Sequence, residues 1–407
     1  MTARVVVTGI GVTAPNGLGA EAYWAATLKG ESAIRPVSRF VPDRYPARLA
    51  GEIRDFDPAE HLPSRLLPQT DRMTQLALVA ADWALSDAAV RAGDVPEYDM
   101  GVVTASSSGG FEFGQGELRN LWSQGGQYVS AYQSFAWFYA VNTGQISIRN
   151  GMRGPCGALV SEQAGGLDAV AQARRHVRLG TRVMVTGGMD ASICPWGWVA
   201  QLASRRLSLS DEPERAYLPF DAAAGGYVPA EGGALLVVED ADSARERGAP
   251  TVYGEIAGYG ASFDPHPDSG RPPATRRAIE AALADAELSP ADIDVVFADA
   301  CGVAEQDRIE AEAIRAVFGP FGVPVTAPKT MTGRLCSGAG ALDVVTALLA
   351  LGDGVVPHTV HVTPVPEHGI DLVTEAPRRR PLRAALVLAR GYGGFNSALV
   401  VRTPQPQ

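Results

Sequence analysis

Apolar and polar positions follow the same order in two long stretches of the chain. Each stretch opens with a short apolar run, continues through a helical pattern, and then reaches a second apolar run typical of a buried strand. The corresponding runs are 5–11 and 252–258, 84–88 and 282–286, and 101–105 and 294–298. The repeated order predicts two related α/β halves, each with helices packed on a mostly hydrophobic sheet. We place these halves at residues 1–245 and 246–407.

A fourth pair of matching segments indicates that the halves differ in length. Residues 165–170 and 340–345 each open a helix, but they begin 77 residues after residue 88 in the first half and 54 residues after residue 286 in the second. The first half therefore has 23 additional residues, and these include an aromatic run at 132–139. Aromatic rings among small residues suit a buried subunit interface or a substrate channel, and they also suit an ordinary core layer.

The segment 154–168 predicts an apolar strand, a sharp turn and a glycine-rich helix start. This layout presents a nucleophile at a helix N-terminus, where free N–H groups and the helix dipole favour an anion. Gln163 lies at the apex of the predicted turn. Because a primary amide cannot accept and release an acyl group as a thiolate does, the sequence predicts a catalytic scaffold without its reactive atom.

Composition excludes several classes of protein. The chain has 407 residues, of which 46% are hydrophobic and 20% charged, so extensive disorder is not expected. A formal net charge of −10 argues against nucleic acid or an anionic membrane as the main partner. The N-terminal run lacks the pattern of a signal peptide, and no apolar run approaches membrane-spanning length. We therefore expect a cytoplasmic protein.

The four cysteines are Cys156, Cys194, Cys301 and Cys336, and they lie far apart without any metal-ligand spacing. We expect all four to be buried, reduced thiols, and we expect neither a metal nor an organic cofactor. A G-x-G sequence after the first apolar run is a weak nucleotide-binding signal, because alanine replaces the third glycine of that motif.

Three segments resemble the β-ketoacyl synthases of the thiolase superfamily, whose fold has five alternating layers, α-β-α-β-α. The first is the turn that carries Gln163, where the family has its cysteine nucleophile. In the second, Asp299 replaces the first histidine of an H-G-T-G-T-type loop. In the third, Arg334 replaces the histidine of a K-x-x-x-G-H segment. The resemblance implies a thiolase-like α/β fold in which all three catalytic groups have been replaced.

These replacements imply a site that is rebuilt electrostatically and inactive on its own. The family's two histidines stabilise the enolate that forms during malonyl decarboxylation, and Asp299 would oppose that step by adding a like charge. Lys329 remains from the family pattern. In the family this lysine supports the site by pairing with an acidic residue, and Glu310 and Asp307 are the candidates here.

Within the family, the chain resembles the chain length factors, the ketosynthase β-subunits of bacterial type II aromatic polyketide synthases. The marks are S-E-Q-A-G-G-L-D around Gln163, S-F-A-W-F-Y at 134–139 and C-P-W-G-W at 194–198. The resemblance implies an obligate heterodimer with a ketosynthase α-subunit, which condenses malonyl units delivered by an acyl carrier protein. The growing poly-β-ketone would then extend into an interface tunnel that this subunit shapes.

The resemblance also implies which residues line the tunnel. Phe111, Gly114 and Leu118 correspond to the family's tunnel positions, and their spacing places them on one helical face. Trp196 is the fourth residue assigned to the tunnel. Because family members that make shorter chains tend to have bulkier groups at the later two positions, Gly114 and Leu118 imply a product longer than an octaketide. A helix–helix contact that needs a small residue explains Gly114 almost equally well.

Three further interpretations stay open. Some ketosynthase-like loading domains with glutamine at this position decarboxylate malonyl thioesters, so Gln163 could supply an acetyl primer, although those domains keep their histidines. Cys156 or Cys336 could be a displaced nucleophile, with Arg334 depressing the pKa of Cys336. Finally, Gln163 could close the unused pocket and support the dimer through amide hydrogen bonds.

Overall fold

The computed structural model describes residues 3–91 and 93–404. Strands such as β1 and β7 are buried along their whole length, as expected for apolar strands covered by helices on both faces. The strands, in chain order, are β1 (Val5–Ala14), β2 (Gly17–Leu18), β3 (Ile34–Pro36), β4 (Leu49–Gly51), β5 (Met100–Ala105), β6 (Cys156–Leu159), β7 (Val183–Asp190), β8 (Gly232–Asp240), β9 (Gly254–Phe263), β10 (Val295–Phe297), β11 (Pro324–Thr326), β12 (Val355–Val356), β13 (Asp371–Leu372), β14 (Arg378–Arg379), β15 (Ala384–Arg390) and β16 (Phe395–Arg402).

The helices connect these strands and cover the sheet. In chain order they are α1 (Ala20–Lys29), α2 (Arg72–Asp87), α3 (Phe111–Gln124), α4 (Gln133–Ala136), α5 (Val141–Asn150), α6 (Gly165–Arg178), α7 (Pro195–Leu202), α8 (Ala241–Glu246), α9 (Thr275–Asp285), α10 (Ala304–Phe318), α11 (Lys329–Thr332) and α12 (Ser337–Asp353). The helix start predicted at residue 340 lies in the first turn of α12.

The main sheet has the strand order β13-β11-β10-β15-β16-β9-β1-β8-β7-β5-β6, with β2 paired to β1. When the main strands of each half are numbered from its own start, both halves have the order 3-2-4-5-1. The halves meet where β1 pairs antiparallel with β9, with Val6 opposite Glu255 and Val7 opposite Gly254. The predicted duplication is therefore confirmed.

Glycine makes the same helix–strand contact in each half. A Cβ atom on Gly9 of β1 would lie 2.1 Å from the backbone oxygen of Ala84 in α2. A Cβ atom on Gly258 of β9 would lie 2.2 Å from the backbone oxygen of Ala282 in α9. Glycine therefore lets each helix lie directly on its strand. The G-x-G sequence in β1 is explained by this packing and not by a nucleotide.

The halves stack as five layers, as the family resemblance implies. Helices α2 and α5 cover the outer face of the first half, and α9 and α10 cover that of the second. Helices α6 and α12 lie between the two sets of strands and pack against each other. Separate hydrophobic cores fill the two outer interfaces and the central one.

The additional residues of the first half lie between β5 and β6. They form α3, α4 and α5, whereas the second half has α10 at the corresponding place between β10 and β11. Helix α3 packs against α4 and α7, which places residue 111 and its neighbours beside the 194–198 segment.

The predicted division between residues 245 and 246 falls at the end of α8, and the boundary itself stays a prediction. No helix in the described part of the chain is both long and apolar enough to span a bilayer.

Candidate functional site

The segment around Gln163 has the predicted strand, turn and helix. Strand β6 leads into a short 3-10 turn, Glu162–Ala164, and α6 follows directly at Gly165. Glu162 has a positive φ of 49°, in the left-handed region that non-glycine residues seldom occupy. Such strain at a tight strand-to-helix turn is typical of sites that present a functional side chain. The scaffold of a nucleophile turn is therefore present, and Gln163 occupies it.

The side chain of Gln163 is sealed inside the protein. It is 1% exposed, and neither its amide nitrogen nor its amide oxygen has a hydrogen-bond partner among the described residues. A partner subunit could reach this amide only if the turn opened. The predicted dimer contact through Gln163 therefore receives no support from the structure, whereas closure of the pocket is consistent with it.

Asp299 and Arg334, the residues at the two histidine positions, form a direct ion pair. Arg334 Nη1 donates to Asp299 Oδ2 at 3.1 Å, and both side chains are buried. Arg334 Nη2 donates to the Arg390 carbonyl at 2.7 Å, and the Arg390 N–H donates to Asp299 Oδ1 at 2.9 Å. The negative charge that Asp299 brings to the site is therefore paired with the cation of Arg334, so the second replacement neutralises the first.

The charge of Arg334 persists despite its burial. Burial by itself would lower the pKa of this guanidinium, but Asp299 and the other acidic groups around it raise the pKa well above its ordinary value. Its cation also lies 5.5 Å from the centre of the Tyr227 ring. A fixed cation in this position cannot act as a general base.

Two buried carboxylates hold the loop that carries Asp299. Glu310 accepts hydrogen bonds from the N–H groups of Asp299 and Ala300, at 2.7 and 2.8 Å. Asp307 accepts from the N–H groups of Gly302 and Phe220, each at 3.0 Å. Burial raises the pKa of Asp307 to about 7 and also raises that of Glu310. The predicted supporting role of Glu310 is therefore exerted on the loop backbone.

Lys329 has a different acidic partner from the two candidates. Its Nζ lies 2.7 Å from Asp343 Oδ2 of α12, and it donates a short hydrogen bond to the Ala298 carbonyl. The predicted pairing with Glu310 or Asp307 is thus wrong, because both carboxylates are occupied by backbone N–H groups. Lys329 instead connects the start of the Asp299 loop to the central helix layer.

Glu162 closes the site from the other side, a role that sequence reasoning missed. Its Oε2 accepts from the Tyr392 N–H at 2.6 Å, and its Oε1 lies 4.0 Å from Arg334 Nε. The Ser337 hydroxyl donates to its carbonyl at 2.9 Å. The glycine-rich loop at 391–394 is therefore tied to the turn that carries Gln163. The only sequence signal was the acidic residue next to Gln163.

The four predicted tunnel residues lie on and beside α3. The rings of Phe111 and Trp196 stack with centroids 4.8 Å apart and planes 8° from parallel. A Cβ atom on Gly114 would lie 3.0 Å from the six-membered part of the Trp196 indole. Leu118, one turn further along α3, is 39% exposed. Three of the four residues are thus in mutual contact, and Leu118 extends the same face.

Gly114 therefore fulfils the packing explanation, since its missing side chain is what lets Trp196 lie against α3. Trp196 is itself 41% exposed. The backbone N–H of Trp196 donates a hydrogen bond to Oε1 of Gln115 at 2.7 Å. That these residues line a tunnel stays a prediction at this point.

The cysteines lie in different environments. Cys194 and Cys301 are buried as expected, and Cys336 is partly buried. Cys156 is exposed because β6 is the edge strand of the sheet, so the expectation of a buried thiol is wrong there. Burial, together with Asp190 and Glu162, raises the pKa of Cys336 well above its ordinary value, and the opposing effect of Arg334 is smaller. The idea that Arg334 activates this thiol is therefore also wrong.

The groups gathered around the turn are an amide, a guanidinium, several carboxylates, the Ser337 hydroxyl and the Cys336 thiol, whose pKa is raised. These groups cannot form an acyl-enzyme in the way that a thiolate beside an imidazole does. In residues 3–91 and 93–404, no group of three or more His, Cys, Asp or Glu side chains is placed to hold a metal ion.

Known families match almost the whole chain. Residues 2–244 match the model of the β-ketoacyl synthase N-terminal domain, and residues 253–363 match that of the C-terminal domain. The ketoacyl synthase beta subunit of the tetracenomycin polyketide synthase from Streptomyces glaucescens is 62% identical over 402 residues, which cover 98% of each chain.

Two solved structures have the same fold. The ishigamide ketosynthase/chain length factor aligns with a TM-score of 0.90 at 26% identity, covering 100% of both chains. A type II polyketide synthase acyl carrier protein in complex with its ketosynthase, bound to the hexaketide, aligns with a TM-score of 0.88 at 26% identity, covering 99% of this chain and 100% of that one. The chain belongs to the β-ketoacyl synthase family and, within it, to the ketosynthase β-subunits, or chain length factors, of type II polyketide synthases.

Proposed function

We propose that this chain sets the length of a poly-β-ketone that a ketosynthase α-subunit synthesises, and that it forms no carbon–carbon bond itself. The observation that carries the proposal is the half-exposed apolar face formed by Phe111, Leu118 and Trp196, in the same half of the chain as a catalytic turn that has lost its nucleophile. An apolar wall of this kind can bound a chain of acetate-derived units by excluding volume. The groups that would perform the condensation have been replaced.

The α-subunit is the proposed partner at the edge of the sheet. Strand β6 ends the strand order, so one side of its backbone is free to pair with another chain. Large apolar side chains are also exposed on Val160, directly after β6, on Ile148 of α5, which packs against β6, and on Trp122 of α3, which is 83% exposed. Exposed apolar patches beside an unpaired strand mark a protein interface. A heterodimer would cover this surface and enclose the α3 face at the same time.

An acyl carrier protein is the second proposed partner, because the α-subunit must receive malonyl units and hold the growing chain as thioesters. One of the structural neighbours is described as an acyl carrier protein in complex with its ketosynthase. In the proposed division of labour, the α-subunit receives these thioesters and this subunit receives only the far end of the chain.

A product longer than an octaketide follows from the sizes of the side chains on α3. Residue 114 has no side chain and residue 118 is a leucine, where relatives that make shorter chains tend to have larger groups. Because Gly114 lets the Trp196 ring withdraw against α3, the ring leaves more room in front of the helix than it would beside a larger residue. The growing poly-β-ketone would therefore reach a greater length before extension stops.

The test is to replace Gly114 by Thr and Leu118 by Phe, singly and together, in the co-expressed heterodimer. A threonine at 114 pushes the Trp196 ring outward, and a phenylalanine at 118 adds volume on the same face, so we expect shorter products by mass spectrometry. Gly116→Thr is the matched control, because a Cβ atom there meets nothing within 4 Å. Unchanged product length in the double variant would refute the assignment of this face.

Decarboxylation of malonyl thioesters through Gln163 is not supported by any contact in the structure. Within residues 3–91 and 93–404 the amide has no hydrogen-bond partner that would orient it, it is 1% exposed, and an ion pair stands where the loading domains keep histidines.

A further inference from the structure

Helix α3, which carries the proposed tunnel face, has a sequence that is poorly suited to forming a helix alone. Its N-cap is Gly110, which supplies no side-chain hydrogen bond, and its C-cap is also glycine. Gly114 and Gly116 lie inside it, where glycine lowers helix stability relative to alanine. The position of this face therefore depends on contacts from other parts of the chain.

Asp71 supplies the missing cap from another helix. It is the N-cap of α2, where its Oδ1 accepts from the Met73 N–H at 2.8 Å. Its second oxygen, Oδ2, accepts from the Phe113 N–H in the first turn of α3, also at 2.8 Å. The Asp71 side chain is 2% exposed, so water does not compete for either oxygen. One buried carboxylate thus caps two helices, with a different oxygen for each.

Two further polar contacts connect α3 to the segment around α7 that carries Trp196. Glu112 pairs with Arg39 at 2.6 Å, and Arg39 Nε donates to the Ile193 carbonyl at 3.3 Å, just before α7. Gln115 holds the Trp196 N–H. The Glu112–Arg39 pair is partly exposed, and exposed ion pairs hold geometry weakly. Asp71 is the buried member of the set and connects α3 to α2, which is packed on the sheet.

We propose that Asp71 is a positioning residue for product length: it fixes α3, and with it Phe111, Gly114 and Leu118, without touching the polyketide. This inference rests on the proposed function, because it assigns a determinant of the same tunnel face. Loss of one oxygen acceptor at residue 71 would let the first turn of α3 move relative to α7. The tunnel end would then vary between molecules, and the stopping point would vary with it.

Asp71→Asn separates the two capping roles. Asparagine has one acceptor oxygen, so it can serve Met73 or Phe113 but not both, and asparagine is as good an N-cap as aspartate. The matched control is Asp240→Asn at the N-cap of α8. There a single oxygen, Oδ1, accepts from both Asp242 and Ser243, at 3.0 and 3.1 Å, so asparagine can keep both bonds.

The experiment measures product length, total polyketide and heterodimer yield for both variants co-expressed with the α-subunit. We expect Asp71→Asn to replace one dominant length by a mixture while total polyketide and yield stay close to wild type. We also expect amide hydrogen exchange in the 111–118 segment to become about tenfold faster, the effect of losing one hydrogen bond to a charged acceptor. Asp240→Asn should change neither the distribution of product lengths nor the exchange rate of the 111–118 amides.

The outcomes distinguish this inference from the proposed function. If the Gly114 and Leu118 variants shorten the product but Asp71→Asn leaves the length distribution unchanged, Asp71 is not a positioning residue. If neither set changes the distribution, the proposed function itself fails. If Asp71→Asn gives no heterodimer, Asp71→Ser takes its place in the experiment. The single hydroxyl oxygen of serine can still accept from the Met73 N–H and cap α2. Rapid exchange of the 111–118 amides in the wild-type heterodimer would overturn the inference without any variant.

Discussion

The turn around Gln163 and the apolar face of α3 lie in the same half of the molecule and differ in almost every physical property. At the turn, Gln163, Asp299 and Arg334 are buried, and the two charges neutralise each other. On α3 and α7, Leu118 and Trp196 are half-exposed and present rings and aliphatic groups. The turn is filled and internally bonded, whereas the face is open and has few polar groups.

The difference indicates what each region now contributes. An ion pair and several carboxylates are buried around the old catalytic turn. Disrupting these groups should therefore lower the free energy of unfolding. The α3 face contributes little to the stability of the single chain, because much of it is not covered. Substitutions at the turn are therefore expected to change stability, and substitutions on the face are expected to change the product or the partner.

The largest expected effect is that of Arg334→Ala, which leaves Asp299 buried without its cation. Removing one partner of a buried ion pair destabilises a protein by about 3–5 kcal/mol, because the remaining charge stays out of water. The measurement is urea-induced unfolding of the purified chain. Arg308→Ala is the control, since Arg308 pairs with Glu305 and Glu312 on the surface and should cost under about 1 kcal/mol. If both variants lower the free energy of unfolding equally, the buried Asp299–Arg334 pair matters no more to stability than a surface ion pair.

The pH dependence of stability is the next expected effect. Burial raises the pKa of Asp307 to about 7 and that of Asp190 to about 6, well above the ordinary values of free carboxyls. Between about pH 4 and its raised pKa, such a carboxyl holds its proton in the folded chain and releases it on unfolding. Its contribution is fully present below about pH 4 and is lost as the pH rises through about 6 for Asp190 and about 7 for Asp307.

We therefore expect the free energy of unfolding to fall from pH 6 to pH 8, by about 2 kcal/mol from these two groups alone, as measured by urea unfolding. Asp307→Asn removes one of the titrating groups and should flatten this slope, even though it lowers stability at every pH. A chain that is more stable at pH 8 than at pH 6 would contradict the assignment.

A smaller effect of opposite sign is expected at the turn itself. Gln163→Leu replaces a buried amide, which has no hydrogen-bond partner in the described part of the chain, by an apolar side chain of similar size, so we expect stabilisation by about 1 kcal/mol in thermal or urea unfolding. The same substitution at Gln115 removes the acceptor of the Trp196 N–H and should destabilise by a similar amount. If Gln163→Leu destabilises the chain, the amide has a partner that this account lacks.

Local patterns predicted the turn because the residues that define it are close together in sequence, whereas the residues of the α3 face were implied by the family resemblance. The strand, turn and helix around Gln163 fall within 154–168, and the α3 residues are related by spacings of three and four. The duplication was also predictable, since matching apolar runs recur in the same order. The order of the strands themselves could not be predicted from such runs, because it depends on how the two halves pair.

The contacts that the sequence could not predict are those made by distant segments. Lys329 pairs with Asp343, which is brought to it by the central position of α12 and not by any local motif. Asp71 lies 42 residues from Phe113, the amide that it caps. Cys156 is exposed because β6 lies at the sheet edge, and edge position is a property of the sheet order and not of the strand.

Whether this chain can form a carbon–carbon bond by itself is measured most directly from the product that three purified samples form from malonyl-acyl carrier protein, analysed by mass spectrometry. The samples are this chain alone, its Gln163→Cys variant alone, and the chain with the α-subunit. We expect no ketide from the first two samples and full-length polyketide from the third. The Gln163→Cys variant stays inactive because a thiol at residue 163 would still face the Asp299–Arg334 pair. Carbon–carbon bond formation by this chain alone would contradict this expectation.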